Sequence, residues 1–227
     1  GIATAINQFL LEDMLSQADI NNQAHSGFKP DPNLTVREAL ERAANRIGDR
    51  FKNHPLEEAQ VRHTIGNVLV GLGEAERGIQ HLELSRELLR TVVGTNHYFN
   101  LLSMRSLAIA YEEAGKLDQA LPLYEETLKI TKAKLGPEKR ETLTAMHDLA
   151  MAYATAGKLD QSLPLYEEAL KLMKARLGPE NGETLNAMNS LAVAYESAGK
   201  RDQAMALYEE TLKLMKARLR PDDPFTQ

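Results

Sequence analysis

The six histidines are the first residues in this chain to weigh for chemistry, as metal ligands or as general acids and bases. His63 and His147 hold equivalent places in a repeating pattern, 84 residues and two units apart. That separation keeps them from sharing one ion, and no HExxH or other ligand spacing accompanies either. Gly71-Leu72-Gly73 has the glycines of a phosphate loop without the Gly-Lys-Ser/Thr that must follow, and Glu74 and Glu76 would repel an anion. The paired glutamates Glu125-Glu126, Glu167-Glu168 and Glu209-Glu210 sit near lysines on a solvated face, not in the desolvated pocket that acid–base catalysis needs. The methionines fall at helical spacing and read as core fillers. No nucleophile, base and orienter assemble from these residues. The expectation is therefore binding without catalysis, and without metal or cofactor.

The elements that would carry such binding are repeated. Leu159-Asp160-Gln161-Ser162 leads into LPLYEEALKLMKARLGPE, and close copies follow Asp118-Gln119-Ala120 and Asp202-Gln203-Ala204. Tyr124, Tyr166 and Tyr208 recur every 42 residues, as do Gly115, Gly157 and Gly199, and Tyr111, Tyr153 and Tyr195. A period of this size marks a stacked array, because one unit cannot bury its apolar face alone.

Composition agrees with helices: aromatics make up 5% with no tryptophan, and charged residues 26%. The net charge of −5 argues against a nucleic-acid partner, which would need a basic face. The chain has no cysteine, so it has neither a disulfide framework nor a thiolate metal site. No apolar run approaches the length of a membrane span, and no signal peptide is visible. A chain that opens on Gly1 reads as a piece of something longer.

Residues 1–54 read as N-terminal helices and a linker, and 55–227 as the array. Ile6, Phe9, Leu10, Met14 and Leu15 predict one helix over 3–18, with a wide apolar face that must dock. Residues 19–33, rich in Asn, Asp, Gly and Pro, read as a linker. Thr35 with Glu38 forms a capping-box pattern, and Val36, Leu40, Ala43, Ala44, Ile47 and Phe51 trace a second helix. Pro55 opens a third. The units are then a degenerate 57–98, in which Leu69 stands where the others have tyrosine, followed by 99–140, 141–182 and 183–224.

Within 141–182, Leu143, Met146, Leu149, Ala150 and Tyr153 share one helical face, and Gly157 supplies a left-handed stop. The partner helix, from about Leu159 to Arg176, turns Leu163, Tyr166, Leu170 and Met173 inward. Glu167 precedes Lys171 by four residues, and Glu125/Lys129 and Glu209/Lys213 repeat it, predicting exposed intrahelical pairs worth roughly 0.2–0.5 kcal/mol each. Phe225-Thr226-Gln227 aligns with Glu141-Thr142-Leu143, so the last hairpin is expected to expose a face that a further unit would cover.

Leu149, Ala150 and Tyr153, followed by Gly157, Ser162, Tyr166 and Ala169, resemble the tetratricopeptide repeat (TPR). Two departures stand out: Met104, Met146 and Met188 replace the early tryptophan, and the unit of 42 residues with its Leu-Gly-Pro end looks like the kinesin-light-chain type. The resemblance covers 57–227. It implies an all-α right-handed solenoid of antiparallel helix pairs, with two extra N-terminal helices. The run TVREALERAANRIGDRF, with HPLEEAQVRHTIGNVLVGLGE after it, is similar to the region after the membrane helix in planctomycete-type serine/threonine kinases that carry these repeats. That likeness implies a position beside a membrane helix in a longer protein, and no kinase motif accompanies it.

In this family the first helices line a concave groove. Units 141–182 and 183–224 are identical at 27 of 42 positions, yet the six expected groove positions all differ. They are Thr144, His147, Asp148, Met151, Ala154 and Thr155 against Asn186, Asn189, Ser190, Val193, Glu196 and Ser197. The exposed Glu-Glu and Lys positions of the second helix are unchanged, so free surface drift does not explain the pattern. The expected groove residues are His63, Asn67, Arg105, Ile109, His147, Met151, Asn189 and Val193, holding a peptide or helix of a protein partner. The reading from a different class is a structural or oligomerising segment, giving a homo-oligomer.

Overall fold

The computed structural model describes residues 2–25 and 29–218, and every regular element among them is helical. Two compact units divide the chain, residues 1–116 and 117–227. The first unit runs α1 (Ile2–Gln8), α2 (Ile20–His25), α3 (Val36–Ala44), α4 (Ile47–Arg50), α5 (Pro55–Gly71), α6 (Ala75–Val92) and α7 (Tyr98–Glu113). The second runs α8 (Leu117–Leu135), α9 (Arg140–Thr155), α10 (Leu159–Leu177), α11 (Gly182–Ser197) and α12 (Arg201–Arg218).

The N-terminal helices are more broken than the periodicity predicts. In place of one helix over 3–18, α1 stops at Gln8, a π turn covers Phe9–Met14, and a 3-10 turn covers Leu15–Ala18. Two demands meet in this stretch. Phe9 is buried with Leu40, Ile47, Phe51 and Val61, while Asp13 is buried on the Arg50 guanidinium, which also takes Glu12 at 2.8 Å. Burial pushes the Asp13 carboxyl above the usual carboxylate range, against the pull of Arg50. Leu15 is exposed, so the expected apolar face is narrower than its pattern; the Leu10 and Met14 side chains lie outside the described residues.

The stretch read as a linker contains α2. Asp19 caps it, accepting from Asn21 N at 2.8 Å, and the buried Gln23 amide closes the loop behind it. Gln23 Nε2 donates to Asp31 O at 2.9 Å, and Asp31 N donates to Gln23 Oε1 at 2.6 Å. The capping box forms as expected: Glu38 N donates to Thr35 Oγ1 at 3.2 Å, and Thr35 N to Glu38 Oε2 at 2.9 Å. The second predicted helix breaks at Asn45-Arg46, which splits it into α3 and α4. Leu40, Ala43, Ile47 and Phe51 still share one core, whereas Val36 is exposed. Pro55 does open α5.

The hairpin of α5 and α6 is tighter than those of α9 with α10 and of α11 with α12. A Cβ on Gly66 would stand 2.6 Å from Leu82 Cγ, and one on Gly78 would stand 2.8 Å from Gly66 O. The two backbones meet where later units carry Ala108 and Ala120, Ala150 and Ser162, or Ala192 and Ala204. Leu82, in the place of the later tyrosines, is fully buried against this contact.

In the second unit the repeat reads as its spacing predicts. Leu143, Met146 and Ala150 of α9 and Leu163, Tyr166, Leu170 and Met173 of α10 are buried in one core with Leu185, Met188 and Leu191 of α11, and Leu149 is buried as well. Gly157 takes φ 72°, in the left-handed region. Lys158 N can then donate to Tyr153 O at 2.8 Å and close α9.

The predicted Glu167–Lys171 type of pair gives way to bonds between hairpins. Tyr195 OH donates to Glu167 Oε1 and Tyr153 OH to Glu125 Oε1, each at 2.8 Å, and Tyr111 OH makes the same bond to Glu83 in the first unit. Each tyrosine lies 28 residues after its glutamate. Burial, reinforced by the carboxylate, holds each of these three phenols up at about 12. Lys174 reaches Glu210 at 2.7 Å rather than only its own helix end. An i+4 partner on the same helix offers little against a phenol that arrives already half-buried and needing an acceptor.

Candidate interaction surface

The expected groove residues sit on first helices, and each unit brings its own set together. In the first unit His63 and Asn67 stand on α5, Arg105 and Ile109 on α7, and the two helices touch. Asn67 is exposed; His63, Arg105 and Ile109 are half-buried. His63 Nε2 lies 2.9 Å from Ser106 Oγ, and Asn67 Nδ2 lies 3.3 Å from the same ring. Burial lowers the His63 pKa, partly offset by the Leu102 carbonyl, so the imidazole is neutral near pH 7.

In the second unit His147 and Met151 stand on α9, and Asn189 and Val193 on α11, again in contact. Met151, Asn189 and Val193 are exposed, whereas His147 is half-buried. The His147 ring meets Tyr166 edge-on at 5.4 Å between centroids, and its Nε2 lies 3.1 Å from Ser190 Oγ. Asp148, expected in the groove by its variation, is instead buried. Thr144, Ala154 and Ser190 are half-buried, so helix spacing alone aimed this face about one residue too wide.

The sequence offered no nucleophile beside a base, yet the fold sets Ser190 against His147 with Asp148 adjacent. The set is incomplete for acyl transfer. His147 Nδ1 and Asp148 Oδ1 are 3.9 Å apart, beyond hydrogen-bond reach, so the carboxylate does not orient the ring. The pair lies mid-helix, where amide N–H groups are committed to the helix and cannot form an oxyanion hole. His63 with Ser106 makes the same contact 84 residues earlier, and both read as ties between adjacent first helices. Their signal was present in the sequence: a histidine with a serine 43 positions later, occurring twice.

A cavity of about 200 Å³ lies in the first unit beneath α3, floored by Leu40, Ile65 and Leu69 and edged by Arg77 and His81. Burial holds the His81 pKa down at about 4, with help from Arg62. Among the described residues no cluster of three metal-ligating side chains occurs, and no helix is long and apolar enough to cross a membrane.

Comparison with known proteins agrees with this geometry. The tetratricopeptide repeat family matches at residues 57–133, 115–175 and 141–217. No curated protein sequence matches the chain. Among solved structures, the nearly identical TPR-like repeats of a Podosopora anserina kinesin light chain are 23% identical, with a TM-score of 0.73 over 97% of this chain and 99% of that one. BtubC (BKLC) from P. vanneervenii is 15% identical, with a TM-score of 0.70 over 98% and 93%. YrrB, a TPR protein with an unusual peptide-binding site, is 16% identical, with a TM-score of 0.55 over 95% and 93%. At these identities the likeness shows the fold, an all-α arrangement of antiparallel helix pairs.

Proposed function

Because the chain belongs to the tetratricopeptide repeat family, we propose that it is a protein–protein interaction scaffold whose first helices hold a partner peptide or helix. The observation that carries this reading is in the second unit. Met151 and Val193 are exposed apolar side chains at matching places on adjacent first helices, beside the His147–Ser190 tie and the Asn189 amide. An apolar pair flanked by fixed polar groups suits a peptide that buries one side chain and hydrogen-bonds its flank. In the first unit Asn67, Arg105 and Ile109 offer the same mixture, with Arg105 suited to an acidic group. The likeness to YrrB, with its peptide-binding site, supports a peptide as the occupant.

The resemblance read in the runs 35–51 and 54–74 to planctomycete-type kinases extends this proposal: the scaffold would lie beside a membrane helix of a larger protein. The test compares capture of partners from a lysate of the source cell by the parent chain, by Met151→Asp with Val193→Asp, and by Arg105→Glu. Loss of partners with unchanged melting supports the reading. Retention of every partner by both variants rejects it.

A further inference from the structure

The tyrosine–glutamate bonds that tie successive hairpins lack their first member. Tyr111, Tyr153 and Tyr195 each donate to a glutamate 28 residues earlier, Glu83, Glu125 and Glu167. One 42-residue period before Glu83 stands Glu41, on α3, and one period before Tyr111 stands Leu69, on α5. The carboxylate is present at this place in the pattern, and the phenol is not.

The cavity of about 200 Å³ beneath α3 is lined by both Glu41 and Leu69. Leucine brings neither ring nor hydroxyl, so it leaves open a volume of the kind that tyrosine fills. Leu40 and Ile65 join Leu69 in a buried apolar floor. At the rim Glu41 takes the Arg77 guanidinium, but an ionised carboxylate accepts about four hydrogen bonds, so acceptor capacity remains. His81 forms part of the wall where later units carry Leu123, Leu165 and Leu207, and its buried Nδ1 meets no hydrogen-bond partner among the described residues. A cavity of roughly 150 Å³ already holds a benzene ring, so this one admits a single ring with small substituents.

We propose that this cavity binds a small single-ring phenol, with its ring on the apolar floor and its hydroxyl donating to Glu41. The ligand supplies from solution the group that Tyr111, Tyr153 and Tyr195 supply from the chain. Other small molecules suit the lining less well. A plain hydrocarbon would cover Glu41 and His81 while giving them no hydrogen bond, and a carboxylate would set a second negative charge beside Glu41. The cavity shares no residue with the candidate surface on the first helices, so this proposal and the peptide reading stand or fall separately.

The test titrates the whole chain with p-cresol and follows methyl and amide resonances by NMR. Saturable shifts at Leu40, Ile65 and Leu69 are expected, with a Kd of about 0.1–1 mM, in keeping with a ligand of about eight non-hydrogen atoms. Toluene, the same ring without the hydroxyl, should bind about tenfold more weakly. Glu41→Gln should weaken p-cresol and leave toluene unchanged, because it alters only the acceptor. Leu69→Tyr puts the ring back into the chain, so it should abolish p-cresol binding and raise the melting temperature. Leu69→Phe blocks the same space with a ring alone and serves as a second variant. No saturable shift up to about 10 mM p-cresol overturns the proposal. So does toluene binding as tightly as p-cresol, and so does p-cresol binding that persists unchanged in a folded Leu69 variant.

Discussion

The His147 imidazole and the Ser190 hydroxyl, on neighbouring first helices, stand 3.1 Å apart while the same ring leans edge-on against Tyr166. A side chain expected to wait for a partner is therefore already holding two helices together. His147→Ala should cost about 1–2 kcal/mol, the sum of a modest hydrogen bond and an aromatic contact. Asn189→Ala, at an exposed position, should shift stability by under about 0.5 kcal/mol. Urea midpoints compare the two directly, and equal shifts would mean that the tie bears no load.

Tyr166 lies at the centre of the second unit's core, buried from both α9 and α11. Replacing it with alanine should destabilise by about 3 kcal/mol, the usual cost of removing a large core aromatic. A midpoint shift too small to resolve would contradict the packing described for α10.

The tyrosine–glutamate bonds between hairpins make a separate claim. Tyr195→Phe keeps the ring and removes only the donor to Glu167, so it should cost about 1 kcal/mol. A double-mutant cycle with Glu167→Gln isolates the pair, and a coupling near zero would show that water serves the carboxylate equally well.

Two half-buried histidines give stability a pH dependence of one sign, His63 and, with the larger shift, His81. The folded His81 pKa of about 4 lies below the ordinary histidine value of 6.5. Between those values the unfolded chain binds a proton that the folded chain refuses. Stability from this group is thus complete above 6.5 and declines as pH falls toward 4. Allowing for the partial exposure of the ring, moving from pH 7 to pH 5 should remove about 1 kcal/mol. His81→Gln should flatten that loss, and a variant that loses as much as the parent assigns it elsewhere.

What the sequence disclosed follows from which forces are periodic. Tyr166, Leu170 and Met173 repeat at helical spacing, and a repeat has to bury the same face each time, so helices, turns and core were legible down to the φ of Gly157. The N-terminal part obeys no repeat. Its breaks at Gln8 and Asn45 answer to the fit of Phe9 and of the Asp13–Arg50 pair, both long-range contacts invisible to a local window. The candidate surface was half legible for a similar reason. Helical spacing finds which side of α9 looks outward, but whether Asp148 is covered depends on the helix beside it.

The close approach of Gly66 and Gly78 bears on how freely these units could be shuffled. Genes for repeat proteins lengthen and shorten by exchanging whole units, which works where neighbouring units are interchangeable. Residues 57–98 are not interchangeable with the rest. A copy of 141–182 spliced into their place keeps the spacing that Ala150 and Ser162 need, and so widens the hairpin on which α1, α3 and α4 rest. Recombination can add or drop hairpins after this one, but the first must travel with its own N-terminal helices.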